Sequence, residues 1–382
     1  MPVSPAMAED LAAAVRVLYE DAEVAILEKL AAALAEGIDS PLWAEIKLRS
    51  IGDLRAAIEE VTDALQTDAD GAVARALAEA YGRGRQAAVA EMGGLDIGRE
   101  LQARRVLPNA PAVDRLAASY AADTRPLYQR ITRAVVDTYR SVVTRASAST
   151  LLGTLTRRQA SQRALDQFAQ RGVTGFVDSS GRSWELAAYA EMAVRSVTAR
   201  AAIEGHTDAL GEIGVGLVIV SDAPLECPLC APWEGETLTL GPQSGPHTIR
   251  AEHAIQPTGL RAALRPPKTV AVHVAGSLVE ARAAGLFHPN CRHSLAAYLP
   301  GVTTRPPHHP TPGTTYEDTQ RQREIERHIR AWKRRQAAAI DDAARRRAGA
   351  YVRKWQQAQR EHVAAHEHLR RKPAREQIGS AH

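Results

Sequence analysis

Two short stretches hold most of the residues able to do chemistry in this chain. "CPLC" places Cys227 and Cys230 three positions apart, and "FHPNCRH", 287–293, carries His288, Asn290, Cys291, Arg292 and His293. The chain has 3 cysteines, and all fall in these two stretches. A CxxC pair sets two thiolates at the bite that tetrahedral zinc accepts. Cys291 with His293, or with His288 in its place, completes a Cys3His set, a composition found in structural zinc sites. The two halves are too far apart for a compact finger, so the metal would staple a long irregular loop to a strand region. A simpler reading needs no metal. CPLC is then a turn with half-buried thiols, and Asn290 and Arg292 hold the loop by hydrogen bonds.

Two catalytic readings compete for the same residues. "AEHAIQPTG", 251–259, resembles the acid–His–x–x–x–Pro segment of HNH nucleases, with His253 as the water-activating base. "HPNCRH" would then supply the asparagine and a metal-binding histidine. The departures are specific: Glu252 stands where aspartate is usual, and Cys291 has no second CxxC around it. A cysteine nucleophile paired with histidine is the other reading, but the sequence marks no oxyanion hole and no third partner. No catalytic residue is assigned, and the chain is read as a non-enzyme.

Bulk properties set the frame. With 382 residues and 45% apolar residues, the chain is long enough for two or three domains and can bury a sizeable core. Aromatics are only 4% and alanine is abundant, which favours helix because alanine loses no side-chain entropy there. No apolar run is long enough to cross a bilayer, and the first residues do not read as a secretory signal. An odd cysteine count argues against a disulfide framework and for a reducing compartment.

The elements that must position the two stretches follow from periodicity. Leu11, Val15, Leu18, Ala22, Ile26, Leu30 and Leu34 recur at helical spacing, ended by Gly37 and "DSP". Ile51, Leu54, Ile58, Val61 and Leu65 mark a second helix, 70–92 a third stopping at Gly93-Gly94, and Leu127, Ile131, Val135, Thr138 and Val142 a fourth after "LPNAPAV". Thr156 with Gln159 predicts a capping box opening a helix that Gly172 closes. "GFVDSSGRSW" reads as two short extended pieces around an Asp178–Gly181 turn. Ser183 then caps a helix with Leu186, Tyr189, Ala193, Val197 and Arg200 along one side. "VGLVIVSD", 215–222, and "ETLTL", 236–240, are strands, and 241–291 is read as irregular. The expected fold is mainly α: a helical N-terminal region over 1–155, a small α+β domain over 156–302, a Pro-rich linker over 303–315 and a basic helical tail over 316–382.

Charge is uneven. The net is +4, yet from Tyr316 onward 17 Lys and Arg face 9 Asp and Glu. A basic tail on a mildly acidic body suggests a polyanion partner, with Lys333, Arg334, Arg335, Arg345, Arg346 and Arg347 as the candidate DNA contacts. The alternative is a solvated helix face with surplus arginine.

Three blocks in order, "GFVDSSGRSWELAAYAEMAVRSVTARA", "VSDAPLECPLCAPWEGETLTL" and "GLFHPNCRHSLAAYLPGV", resemble phage minor capsid proteins of the minor-capsid-2 type, which are similar to the broader MuF-like head morphogenesis group. The likeness covers about 120–302. Its signature falls on Gly181, Arg182, Trp184, Tyr189, Met192, Arg195, Trp233, Glu234, Gly235, His288, Asn290, Cys291, Arg292 and His293. It implies a low-copy virion protein made in the bacterial cytoplasm and placed in the capsid interior or at the portal vertex. Its implied partners are the portal or major capsid protein; the long alanine-rich helices offer faces for further copies of the chain, and packaged DNA is the partner that the basic tail's charge suggests. The zinc reading rests on this chain's own residues, not on the resemblance.

Overall fold

The computed structural model describes Val3 and residues 9–92, 110–172, 176–177, 183–184, 186–223, 228–256, 265–288, 291, 293–305 and 314–379. The expected Gly93-Gly94 stop, the Asp178–Gly181 turn and most of the Pro-rich linker lie outside them, as do Cys227, Gly181, Arg182, Asn290 and Arg292. The helices are α1 (Glu9–Ala35), α2 (Trp43–Arg49), α3 (Ile51–Met92), α4 (Pro111–Leu151), α5 (Arg157–Arg171), α6 (Leu186–Glu212), α7 (Leu278–Ala283), α8 (Tyr316–Ala337) and α9 (Asp342–Ala365). The strands are β1 (Phe176–Val177), β2 (Ser183–Trp184), β3 (Leu217–Val220), β4 (Thr237–Thr239), β5 (His247–Glu252), β6 (Thr269–Val274), β7 (Gly276–Ser277) and β8 (Leu295–Ala297). The chain is mainly α, with small sheets, as its composition implies.

The chain forms two compact units. One is built from 13–73, 119–191 and 312–382. Here α1 buries Val15, Ala22, Ile26, Leu30 and Leu34, the stripe read from sequence, and Gly37 at φ +61 ends it. The hydroxyl of Tyr19 meets those of Tyr120 and Tyr128 at 2.9 and 2.7 Å, so three buried phenols satisfy one another. Thr156 and Gln159 form the expected capping box on α5. β1 and β2 pair antiparallel, Phe176 opposite Trp184, so Ser183 lies in a strand rather than capping α6. The basic tail is helical, but its helix folds back on itself. Asp341 caps α9 through the Ala344 amide at 2.8 Å, and Ile325, Ile329 and Val352 form a core between α8 and α9 with Trp332 and Trp355.

The second unit comprises 1–12, 74–118 and 192–311 and contains the chemistry-bearing stretches. α3 is one continuous helix of 42 residues, not two. Gly71 inside it costs about 1 kcal/mol against alanine, too little to break a helix held by packing. In this unit α3 crosses α6 at a pair of glycines. A Cβ on Gly84 would stand 2.7 Å from the Ala202 carbonyl carbon, and one on Gly205 would stand 2.9 Å from that of Tyr81. Such backbone approach is open only to glycine. The buried face of α6 is offset by one residue from the expected stripe. Ala187, Ala190, Val194, Thr198 and Ala201 are buried, whereas Tyr189, Ala193 and Val197 are half-buried and Arg200 is exposed. Near Gly205 that face must be small, because the Tyr81 backbone comes so close.

A four-stranded sheet, order β7-β4-β3-β8, carries the site. β3 pairs antiparallel with β4 and β8, β4 pairs parallel with β7, and Val3 bridges Leu295. All four residues of β3 are buried, as its unbroken apolar run requires. Glu91, near the end of α3, ties helix to sheet: one carboxylate oxygen accepts from the Ala297 amide at 2.9 Å and the other meets Nε2 of the buried His206 at 2.9 Å. The stretch expected to be irregular contains a hairpin. β5 and β6 pair over six residues each, from His247 opposite Val274 to Glu252 opposite Thr269, and pack Val272 and Val274 on Leu217.

Candidate metal centre

The sheet brings the CPLC stretch and the FHPNCRH stretch together. After β3, Cys230 ends a turn and opens a single 3-10 turn, Ala231–Trp233, whose Trp233 amide donates to the Cys230 carbonyl at 2.9 Å. Gly235 follows with φ +65, and its amide donates back to Val220 at 3.0 Å. On the other side, Ser277 and Glu280 form a capping box that starts α7. The chain leaves α7 through Gly285 at φ +113 and Phe287 at φ +61, a left-handed backbone that costs a non-glycine residue energy. The Cys291 amide donates to the His288 carbonyl at 2.9 Å. Ser294 locks the end: its amide donates to Ser221 Oγ and its carbonyl accepts from the Ser221 amide, both at 2.9 Å, just before β8 pairs with β3.

One ligand atom each from Cys230, His288 and Cys291 lie within 4.8 Å of one another, the only such three-residue group among the described residues. Cys230 and Cys291 are buried, with their sulfurs 3.6 Å apart. His293, also buried, sits behind Cys291, with Nδ1 3.3 Å from that sulfur. Its Nε2 donates to Glu234 Oε1 at 2.6 Å, and the same oxygen accepts from the Ala223 amide at 3.3 Å. A continuous polar chain therefore runs Cys230–Cys291–His293–Glu234. The Cys230 thiol donating to Cys291, with His293 beside it, holds the Cys291 thiol well below its ordinary range despite burial. Burial opposes the charged form of His293, but Cys291 and Glu234 on its two nitrogens outweigh it and push the imidazole up. The shifts favour charge separation along this line, with Cys291 drawn toward its thiolate form. A thiolate is the form in which cysteine binds metal, and a histidine anchored by a carboxylate is a usual outer support of a metal site.

The proposed ligands thus fall as follows. Cys230 and Cys291 stand together with His288, His293 touches Cys291 while bound to Glu234, and Cys227 lies outside the described residues. The signature residues Trp233, Glu234 and Gly235 form the turn that feeds this site. Arg305 packs over Gly235 and donates to the Glu234 carbonyl at 3.0 Å and to Glu236 at 2.8 Å. Met192 and Arg195 lie on α6, Tyr189 one turn earlier on the same helix, and Trp184 in β2. The role of Glu234 was out of reach of sequence reasoning, because its partner His293 lies 59 positions away.

His253 directly follows β5, its amide donating to the Lys268 carbonyl at 2.7 Å. Its Nδ1 accepts from the Ile255 amide at 3.1 Å and its ring lies over Gly301, while Glu252 points to the exposed face of β5. Alternation along the strand puts this acid and this histidine on opposite sides. Of the tail cations, Arg334 is buried, its Nε donating to Ala169 at 3.0 Å and its Nη1 3.9 Å from Glu23. Lys333 donates to Gln377 at 2.7 Å, Arg335 lies 4.2 Å over the Trp332 ring, and Arg347 pairs with Asp166 at 3.0 Å. Arg345 and Arg346 are exposed.

No curated protein and no solved structure matches the chain. No helix among the described residues is long and apolar enough to cross a membrane. The family model described as phage minor capsid protein 2 matches residues 3–364, nearly the whole length, and the chain belongs to that family.

Proposed function

We propose that the protein is a low-copy, non-enzymatic component of the phage head that acts at the portal vertex, in head assembly or DNA packaging and delivery. The observation that carries this reading is the match to a structural capsid family over nearly the whole chain. The geometry agrees with a scaffold role. The cysteine and histidine stretches close a loop onto a sheet. The protein is made in the host cytoplasm and resides in the virion, docked on the portal or major capsid protein and on further copies of itself. The exposed Arg345 and Arg346 give packaged DNA a salt-sensitive, sequence-independent contact.

The Cys230–His288–Cys291 group is a structural zinc site in this reading. Two thiolates and an imidazole are a common structural-zinc donor set, and a fourth ligand comes from His293 or Cys227. Bound zinc would hold His288 and Cys291 against the turn that carries Cys230.

Cross-linking mass spectrometry of purified, DNA-filled particles tests the location. Cross-links from this chain concentrated on the portal protein are expected. Cross-links spread over the major capsid protein without the portal would overturn the vertex assignment.

A further inference from the structure

A second feature of the same unit borders the candidate metal centre, sharing His288 and Cys291 with it. α6, α7 and the turn after α7 line an open cavity of about 530 Å³. That volume lies in the range of pockets that hold small ligands or peptide anchors. Val197, Ile203, Leu286 and Phe287 give it an apolar wall, and Arg195, Arg200 and Arg282 bring guanidinium groups to it. Val197 and Arg200 belong to the side of α6 that periodicity marks as a packing face. Here that side borders an open cavity instead of another element.

The charge around the cavity is unbalanced. Glu204 serves three guanidinium groups: Arg115 at 2.7 Å, Arg200 at 3.0 Å and Arg282 at 3.9 Å. Asp208 also faces Arg282 but already accepts from the Tyr81 hydroxyl at 2.8 Å. Nη2 of Arg282 is buried with no hydrogen-bond partner. A buried, half-compensated guanidinium is costly, and burial lowers its affinity for a proton. The Arg282 side chain as a whole is 24% exposed, and an anion entering the cavity would supply the missing charge.

We propose that this cavity binds the C-terminal residue of a partner polypeptide, its carboxylate on Arg282 and Arg200 and its apolar side chain on Val197, Ile203 and Leu286. A chain end fits because its last residue carries an apolar group and a carboxylate on one Cα, matching guanidinium and apolar groups interleaved on the same turns of α6. A nucleic-acid phosphate would use the arginines but leave the apolar wall unfilled, and a duplex is too wide to enter.

Titration calorimetry with the full-length protein tests this, using a tetrapeptide Ala-Leu-Ala-Phe with free carboxylate. The comparison ligands are its C-terminal amide, an amidated peptide with an internal glutamate, and inorganic phosphate. The free acid is expected to bind at least about tenfold more tightly than the other three, the loss that accompanies removal of a charge-assisted hydrogen bond. Arg282→Gln should abolish that preference. Val279→Asp, at an exposed position on the cavity rim (72% exposed), should weaken the free acid without affecting folding. Equal binding of acid and amide, preference for phosphate or the internal glutamate, or no binding by any ligand would overturn the assignment.

Discussion

The glycine crossing of α3 and α6 predicts a stability change of unusual sign for a glycine-to-alanine exchange. In a helix, alanine is normally better by about 1 kcal/mol. At Gly84 the added Cβ would lie 2.7 Å from the Ala202 carbonyl carbon, where ordinary contact begins near 3.4 Å. Because that obstacle is backbone, no side chain can rotate away. The two helices must part by roughly 1 Å, and a gap of that size forfeits a quarter to a half of each affected dispersion contact. Overpacking of this kind costs about 1–3 kcal/mol, sometimes more. Offset against the propensity gain, Gly84→Ala should destabilise by up to about 2 kcal/mol, and Gly84→Val by more. Gly211 on α6 is the control, since nothing lies within 4 Å of its virtual Cβ. Gly211→Ala should be neutral or stabilising by up to about 1 kcal/mol. Urea unfolding followed by circular dichroism measures both, with the midpoint shifting at constant slope. A Gly84→Ala variant as stable as Gly211→Ala would refute the close crossing.

Three further outcomes follow. Protein purified without added metal should carry about one zinc per chain by elemental analysis, and Cys291→Ser should lose it; full retention in the variant would remove Cys291 from the ligand set. Glu20 titrates in the opposite sense to an ordinary surface carboxylate. Burial raises its carboxyl from 4.5 to about 7, against the pull of Arg16 and Arg330. Its contribution is therefore fully present below pH 4.5 and lost as pH rises through about 7, by about 3 kcal/mol in all. Urea midpoints taken across this range should fall with pH in the wild type and flatten in Glu20→Gln, and parallel profiles would sink the idea. Asp341→Ala removes the cap of α9 and should cost about 1 kcal/mol, read as a lower thermal midpoint.

Much of the fold was legible because it obeys local rules. The Thr156–Gln159 box, the α1 stripe ended by Gly37, and the apolar run of β3 each carry their own signal. The β5–β6 hairpin also carries one: Val270, Val272 and Val274 alternate with Thr269, Ala271 and His273. That alternation is short and flanked by Gly- and Pro-rich stretches, which hid it. The division into one helix ending at Leu65 and another over 70–92 failed for a different reason: residues 66–69 hold no Gly or Pro, so nothing local stops α3 there. "KRR" reads as solvent-facing charge, yet Arg334 is buried on a carbonyl and near Glu23. Only partners far along the chain make that burial tolerable. The candidate site was half legible. Cys230, Cys291 and the two histidines announced themselves by type and spacing, but the Glu234–His293 link arises only when the sheet forms. The resemblance was also narrower than the family match, which extends into both the N-terminal helices and the tail.

Quantitative mass spectrometry of purified, DNA-filled particles bears most directly on the claim that this is a minor head component. A few to a few tens of copies per particle are expected. Absence from particles, with the protein abundant in infected cells, would contradict it.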